Sequence, residues 1–223
     1  MEASSPVSLE IHFHLTNGAV EKFVQSDHAA IEAIVGNVQP QRVFTQPHLI
    51  VAGKYSMTVY SCSAITRVDF VMEGFPDWPF PLGVEDIQEI TEEEFWERFR
   101  PEEDEKFLRE QARPVGQPTV GWIQVELVSG ERVFVEVHTK AVGHLDQLRL
   151  ITQIFTAASL YARRKGGGIS FINPANIVRS TFTPGPAEAP KTAWAAHHMA
   201  PGQTGKGKRK GEKQKDVGDL SDF

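Results

Sequence analysis

The first strands of the chain are visible as an alternation of apolar and polar residues. Between Leu9 and Leu15 every second residue is apolar, which is the period of a half-buried strand. Asn17 and Gly18 then favour a tight hairpin turn, because both residues tolerate a positive φ angle. Residues 20–24 predict the returning strand.

The pattern then changes to that of a short amphipathic helix. Ser26 is expected to cap it, and the apolar residues between Ala30 and Val35 are spaced to form one face. A third strand is predicted at 48–51, and one long strand is predicted at 57–70. These elements together make a ββαββ unit.

The same pattern returns 112 positions later. Residues 57–70 (MTVYSCSAITRVDF) align with residues 169–182 (ISFINPANIVRSTF), and the hairpin turn at Asn17 and Gly18 aligns with Ser129 and Gly130. A shared offset at two distant places predicts an internal duplication. The second copy is expected to hold strands at 122–128, 132–137, 160–163 and 169–182, with a longer helix after the second strand.

An insert separates the two copies. Residues 74–83 (GFPDWPFPLG) are too rich in proline to continue a sheet, and Thr91 with Glu94 predicts a capping box for a helix. That helix carries three aromatic residues that we expect to contact a protein partner: Phe95, Trp96 and Phe99. From residue 183 onward the apolar periodicity ends, and a disordered basic tail is predicted.

Charge is distributed unevenly along the chain. The formal net charge is −6, and residues 71–116 hold 14 acidic and 5 basic side chains. Acid is therefore concentrated between the copies, which favours a basic or mixed protein partner. The single cysteine, Cys62, excludes an intrachain disulfide and a thiolate metal cluster. Without a long apolar run or a secretory signal, the chain is expected to lie in the cytoplasm and not in a membrane.

Candidate chemistry is sparse. His12 and His14 share a strand face, but the sequence places no third ligand beside them, so neither a metal nor another cofactor is predicted. No hydrolase, phosphate-loop or dinucleotide motif occurs, so no catalytic residue is predicted. An enzyme would need a cleft between the copies, near His12, His14 or His48.

Two basic segments carry the alternative of a nucleic-acid or anion contact. Arg163, Arg164 and Lys165 precede three glycines in a predicted turn, where charge and a flexible backbone occur together. In the tail, basic residues can contact phosphates without sequence specificity, or can simply solubilise the terminus. These tail residues are Lys206, Lys208, Arg209 and Lys210.

Two short pieces resemble a known family. Residues 59–68 (VYSCSAITRV) are similar to the last strands of bacterial Sm-like RNA chaperones, and residues 15–18 (LTNG) resemble their first turn. The chain departs from that family by placing a helix between the hairpin and the later strands, and by lacking its central strand pattern. No RNA-binding residue is carried over.

The sequence thus predicts an α+β protein with two tandem ββαββ units, each a small curved sheet or partial barrel with one helix. The units span residues 7–70 and 117–182, with the acidic insert at 71–116 and the tail at 183–223. Because the repeat keeps strands and turns but no polar constellation, we expect a non-catalytic protein-binding or scaffold protein. A nucleic-acid-associated protein and an enzyme remain alternatives, and the oligomeric state is open.

Overall fold

A computed structural model describes residues 8–76, 78–81, 83–98, 119–140, 152, 154, 156–183 and 193–194. The chain divides into two compact units, Met1–Ala189 and Pro190–Phe223. In the second unit, Ala193 and Trp194 are described, and both are exposed. Of the rest of the predicted tail, Thr183 is described as the last residue of a strand and the other residues lie outside the described ones. The predicted domain boundaries stay predictions.

The described part of the first unit consists mainly of strands. The strands are β1 Leu9–Leu15, β2 Val20–Gln25, β3 His48–Ala52, β4 Met57–Ser61, β5 Ile65–Val71, β6 Val84–Ile90, β7 Thr119–Leu127, β8 Arg132–Thr139, β9 Leu160–Arg163, β10 Ile169–Ile172 and β11 Ile177–Thr183. The helices are α1 His28–Asn37 and α2 Glu92–Arg98, with 3₁₀ turns at Cys62–Ala64 and Pro174–Asn176.

Nine strands form one mixed sheet in the order β11-β7-β8-β6-β9-β10-β5-β1-β2, and β3 and β4 form a separate two-stranded sheet. All neighbours pair antiparallel except β6 and β9. The predicted α+β class is therefore confirmed. The nine strands run from β2 to β11 without interruption, so the sheet connects the beginning of the chain to its later half.

The two long strands predicted at 57–70 and 169–182 are wrong as continuous elements. The first is divided by the 3₁₀ turn Cys62–Ala64 and the second by Pro174–Asn176. The reason is that the two parts of each segment pair with different strands. β4 pairs with β3, whereas β5 pairs with β1. Alternation alone carries no information about such a change of partner.

The start of α1 also differs from the prediction. Asp27, not Ser26, is the N-cap, and its Oδ1 accepts a hydrogen bond of 2.8 Å from the backbone N–H of Ala30. Both residue types can cap a helix, so the sequence pattern fixes the helix start only to within one residue.

Pairings at the two ends of the sheet follow the same 112-residue spacing. Ile11 lies opposite Phe70 in the pairing of β1 with β5, and Ile123 lies opposite Phe182 in the pairing of β7 with β11. Both pairings also skip one residue, at positions 66 and 178. The hairpin turns before β2 and β8 both contain a glycine with positive φ, 83° and 84°.

Strand β10 lies between two hydrophobic cores. Ile169 and Phe171 pack into the first core with residues of β1 and β5. Ile172 instead belongs to the second core, which is built mainly from β7 and β8. Because neighbouring residues of a strand face opposite sides, β10 seals one core with each face.

The turn before β10 brings two backbones into close approach. Gly168 has φ +97°, and a Cβ atom added there would overlap the carbonyl oxygen of Phe70 on β5. Gly166, two residues earlier, has φ +91° but open space around it. The turn therefore requires glycine at 168 for two reasons, conformation and space, and at 166 for conformation alone.

Substitution of these two glycines separates the two requirements. We expect Gly166→Ala to lower the free energy of unfolding by about 1 kcal/mol, the cost of a positive φ angle. Gly168→Ala should cost roughly 3 kcal/mol or more, because it also forces β10 away from β5. Urea denaturation of both variants measures the difference. Equal losses would mean that the contact with Phe70 is not required.

Candidate functional site

A buried arginine stands at the centre of the polar contacts. Arg67, on β5, is 4% exposed. Its Nε donates to Oδ1 of Asp69 at 2.6 Å, and its Nη1 donates to Oε1 of Glu131 at 3.1 Å. Its Nη2 donates to both carboxylate oxygens of Glu89 at 2.8 Å. One guanidinium thus joins three carboxylates.

Asp69 is the second buried charge of this cluster. Its Oδ2 lies 3.0 Å from Nε2 of His14 and also accepts a hydrogen bond from Nη1 of Arg164. The other ring nitrogen of His14, Nδ1, lies 3.2 Å from Oε2 of Glu131. His14 therefore connects two carboxylates that also bind Arg67.

Ser170, on β10, completes the cluster. Its hydroxyl accepts a hydrogen bond from Nη2 of Arg67 at 3.0 Å and donates to Oε2 of Glu89 at 2.9 Å. We call the seven residues that make these contacts the junction network: His14, Arg67, Asp69, Glu89, Glu131, Arg164 and Ser170.

Strand register explains how these residues meet. Arg67 and Asp69 share one face of β5, since they are two residues apart. His14 lies opposite Arg67 on β1, and Ser170 lies opposite Asp69 on β10. Glu89 comes from β6, and the other two residues come from the β7–β8 and β9–β10 turns. The network therefore ties strands of the first half of the chain to strands of the second half.

The charges of the network balance. Burial works against a charged His14, but its hydrogen bonds with Asp69 and Glu131 outweigh this and raise its pKa to about 9. Burial likewise opposes a charged Asp69, but His14 and Arg67 hold its pKa well below its usual range. At neutral pH three cations therefore face three carboxylates, which offsets the cost of burying them.

His12, His14 and Asp69 are also close enough to be considered as metal ligands, since one potential ligand atom of each lies within 4.8 Å of the others. Asp69, however, is bound by two guanidinium groups, and His14 stays protonated between two carboxylates. Nε2 of His12 lies 2.8 Å from Oε2 of Glu10. A metal ion would have to displace these contacts, so the arrangement fits an ion-pair network better than a metal centre.

The three basic residues predicted to contact an anion all have acidic neighbours. Nε of Arg163 lies 3.4 Å from Oδ1 of Asp86. Arg164 belongs to the junction network, and Nζ of Lys165 lies 2.5 Å from Oε1 of Glu94. An anion at this turn would compete with these carboxylates.

The aromatic residues predicted to contact a partner are placed differently from one another. Phe95 is buried and packs with Ile90 and Phe134. Trp96 is 48% exposed, and its Nε1 donates to Oε1 of Glu92 at 3.3 Å. Phe99 lies outside the described residues, as do the predicted tail contacts Lys206, Lys208, Arg209 and Lys210.

An apolar cavity of about 410 Å³ lies beside the second core. Val125 of β7, Ser180 of β11 and Ile172 of β10 are among the residues that line it, together with Phe80 and Tyr161. Sequence reasoning did not predict this cavity, because no local pattern reports how densely distant strands pack.

Comparison with known protein families, curated sequences and solved structures finds no match to this chain. In the described part of the chain, no helix has the length and apolar character needed to cross a membrane.

Removing the central guanidinium should strongly destabilise the fold. We expect Arg67→Met to lower the free energy of unfolding by about 3–5 kcal/mol, because the buried Asp69 would lose one of its three cationic partners and the half-buried Glu89 would lose its bidentate partner. The matched control is Arg179→Met, 112 positions later, where the arginine makes an exposed 2.7 Å pair with Glu126. It should cost less than about 1 kcal/mol. Comparable losses in urea denaturation would contradict the assigned role of Arg67.

The pKa of His14 makes stability depend on pH. The folded pKa of about 9 lies above the ordinary value of 6.5, so the stabilisation is complete below pH 6.5 and is lost as pH rises through 9. We expect the difference in unfolding free energy between wild type and His14→Gln to shrink by up to roughly 3 kcal/mol over this range.

The control for the pH series is His28→Gln, since the exposed His28 lies outside the network. The two variants are measured at the same pH values, so that His28→Gln gives the effect of losing a histidine outside the network. A His14→Gln difference that does not change with pH would show that His14 does not hold a proton between Asp69 and Glu131.

Proposed function

We propose that the chain is a non-catalytic binding and assembly protein built from two pseudo-equivalent ββαββ repeats. The 112-residue spacing supports the duplication, since it relates β1 to β7, β2 to β8 and β5 to β11. The strand pairings and the skipped residues follow the same spacing. Among the described elements, the two copies differ in their second hairpins, because β3–β4 forms its own sheet while β9–β10 enters the large one.

The junction network is the observation that carries the non-catalytic role. Each of its six ionisable residues pairs with at least one other member, and these contacts join strands. Glu89 and Arg164 also line a pocket of about 350 Å³, but both are engaged by other members of the network there. A general base needs an accessible group that is unprotonated near neutral pH. His14 is paired and protonated, and the exposed His48 stands apart on β3.

The insert supplies the surface proposed for a protein partner. Helix α2 presents a half-exposed Trp96 beside the acidic residues of its first turn. Tryptophan is enriched among residues that dominate binding energy, and the acid favours a basic or mixed partner. Phe95 supports this surface from the core below it.

The alternative of nucleic-acid binding receives less support from the described residues. Arg163, Arg164 and Lys165 are engaged by carboxylates, so this alternative rests on the basic tail. We keep the cytoplasm as the proposed location, which the buried, unpaired Cys62 fits.

Copurification of the full-length tagged chain from its native cells tests the proposal. We expect the same protein partners with and without nuclease, identified by mass spectrometry. Trp96→Ala should reduce their recovery at least about tenfold, the effect of losing a residue that dominates binding. Val128→Ala is the control, because Val128 is a 47% exposed apolar residue that belongs to the β7–β8 turn and not to α2.

Two outcomes would contradict this proposal. Loss of the partners on nuclease treatment would favour the nucleic-acid alternative. Turnover of a small molecule by the purified chain, abolished by His14→Gln at a pH where that variant remains folded, would favour the enzyme.

A further inference from the structure

Four strand edges remain without a neighbouring strand in the part of the chain that the structure describes: those of β2 and β11 at the ends of the nine-stranded sheet, and those of β3 and β4 in the small sheet. Two of them, the edges of β4 and β11, correspond in the 112-residue spacing to strands that pair with each other inside the chain. An open strand edge offers unpaired backbone groups and so favours pairing with another strand. These two edges belong to opposite halves of the chain.

The junction inside the chain shows how such edges can fit together. There β5 pairs antiparallel with β10, with Phe70 opposite Ile169 and Val68 opposite Phe171. In the 112-residue spacing β5 corresponds to β11, and β10 corresponds to β4. The internal junction therefore uses one edge of each kind, and the open edges of β4 and β11 are the complementary pair.

We propose that β4 of one copy of this chain pairs antiparallel with β11 of a second copy, in the register of the internal junction. Each residue of β10 is replaced by the β4 residue 112 positions earlier, and each residue of β5 by the β11 residue 112 positions later. This places Met57 opposite Phe182 and Thr58 opposite Thr181. The inference deepens the proposed function, on which it rests, by naming a second copy of the chain as the partner at these edges.

The side chains of β4 support this pairing. Phe171 and Ile169 point away from the second core and are 0% and 4% exposed, because they pack into the first core across the junction. Their counterparts on β4, Val59 and Met57, are 49% and 69% exposed. Apolar residues that the junction buries are thus present on β4 but uncovered.

The side chains of β11 show the same contrast. Arg67 and Asp69 of β5 are buried under β10, whereas their counterparts Arg179 and Thr181 are exposed. In the proposed contact Thr181 would lie opposite Thr58, the counterpart of Ser170. The pair is uncharged and compact, so both strands can approach without leaving a buried ion unpaired.

The apolar cavity lies where a residue of the second copy would enter. Ser180 and Val125 line it, and they lie opposite each other in the pairing of β11 with β7. Their counterparts in the first core, Val68 and Phe13, are buried in the cluster that includes Phe171. In the proposed register Val59, the counterpart of Phe171, lies opposite Ser180 and brings its side chain to this cavity.

The contact between copies is expected to be weaker than the internal junction. Asn173 and Asn176 donate hydrogen bonds to the Ile65 carbonyl oxygen across the junction, at 2.9 and 2.8 Å. Their counterparts on the first half, Ser61 and Ala64, do not have an amide group to donate in this way. The contact joins different surfaces of the two copies, so it is head to tail and concentration-dependent.

Two charge substitutions test the pairing from both sides. Val59→Lys places a charge on β4, and Thr181→Lys places one on β11; both sites are exposed in the single chain, so each variant should fold as wild type does. Sedimentation velocity over a concentration series should show head-to-tail assembly of the wild type. Each variant alone should raise the apparent Kd at least roughly 100-fold, the cost of burying an unpaired charge.

The equimolar mixture of both variants is the decisive sample. The Thr181→Lys chain keeps its β4 edge and the Val59→Lys chain keeps its β11 edge, so the mixture should form dimers and nothing larger. Val128→Lys, on the β7–β8 turn, is the control and should assemble as wild type does.

Other outcomes would overturn this inference. A wild-type chain that stays monomeric at its highest soluble concentration would do so, as would a single variant that assembles normally or a mixture that stays monomeric. None of these affects the copurification of other proteins through Trp96, so a failure here is distinguishable from a failure of the proposed function.

Discussion

Burial of the Arg67 guanidinium is the constraint on which the other features depend. A buried charge is tolerated only when its partners hold it from all sides, because water is excluded from the site. Those partners come from β5, β6, β10 and the β7–β8 turn. The position of each of these elements therefore depends on the positions of the others. The two halves of the chain belong to one compact unit, Met1–Ala189.

The apolar contacts of β10 also connect the two halves of the chain. The strand offers Phe171 to the first core and Ile172 to the second, while Ser170 contributes to the junction network between them. Three kinds of contact thus meet on three consecutive residues. This explains why the chain keeps glycine at 168, where any side chain would separate β10 from β5.

Local features of this fold could be predicted from the sequence, and distant ones could not. Alternation and turn residues located β1, β2, β7 and β8 because each depends on neighbouring residues. The network was missed because Arg67 meets Glu131 and Ser170 at separations of 64 and 103 residues. Its one local signal is the pair of charged residues Arg67 and Asp69 between the apolar residues of the strand ITRVDFV. The burial of Phe95 beside the exposed Trp96 could not be predicted either, because Phe95 packs against Phe134 on the distant strand β8.

The pairing of β5 with β10 also determines when the first half of the chain can finish folding during synthesis. Phe70 leaves the ribosome roughly 100 residues before Ile169, which at about 5–20 residues per second is a delay on the order of 5–20 s. Throughout that interval the β5 edge is uncovered, and Asp69 lacks Arg164. The nascent chain therefore passes through a state with an open apolar strand, in which protection by a chaperone is most valuable.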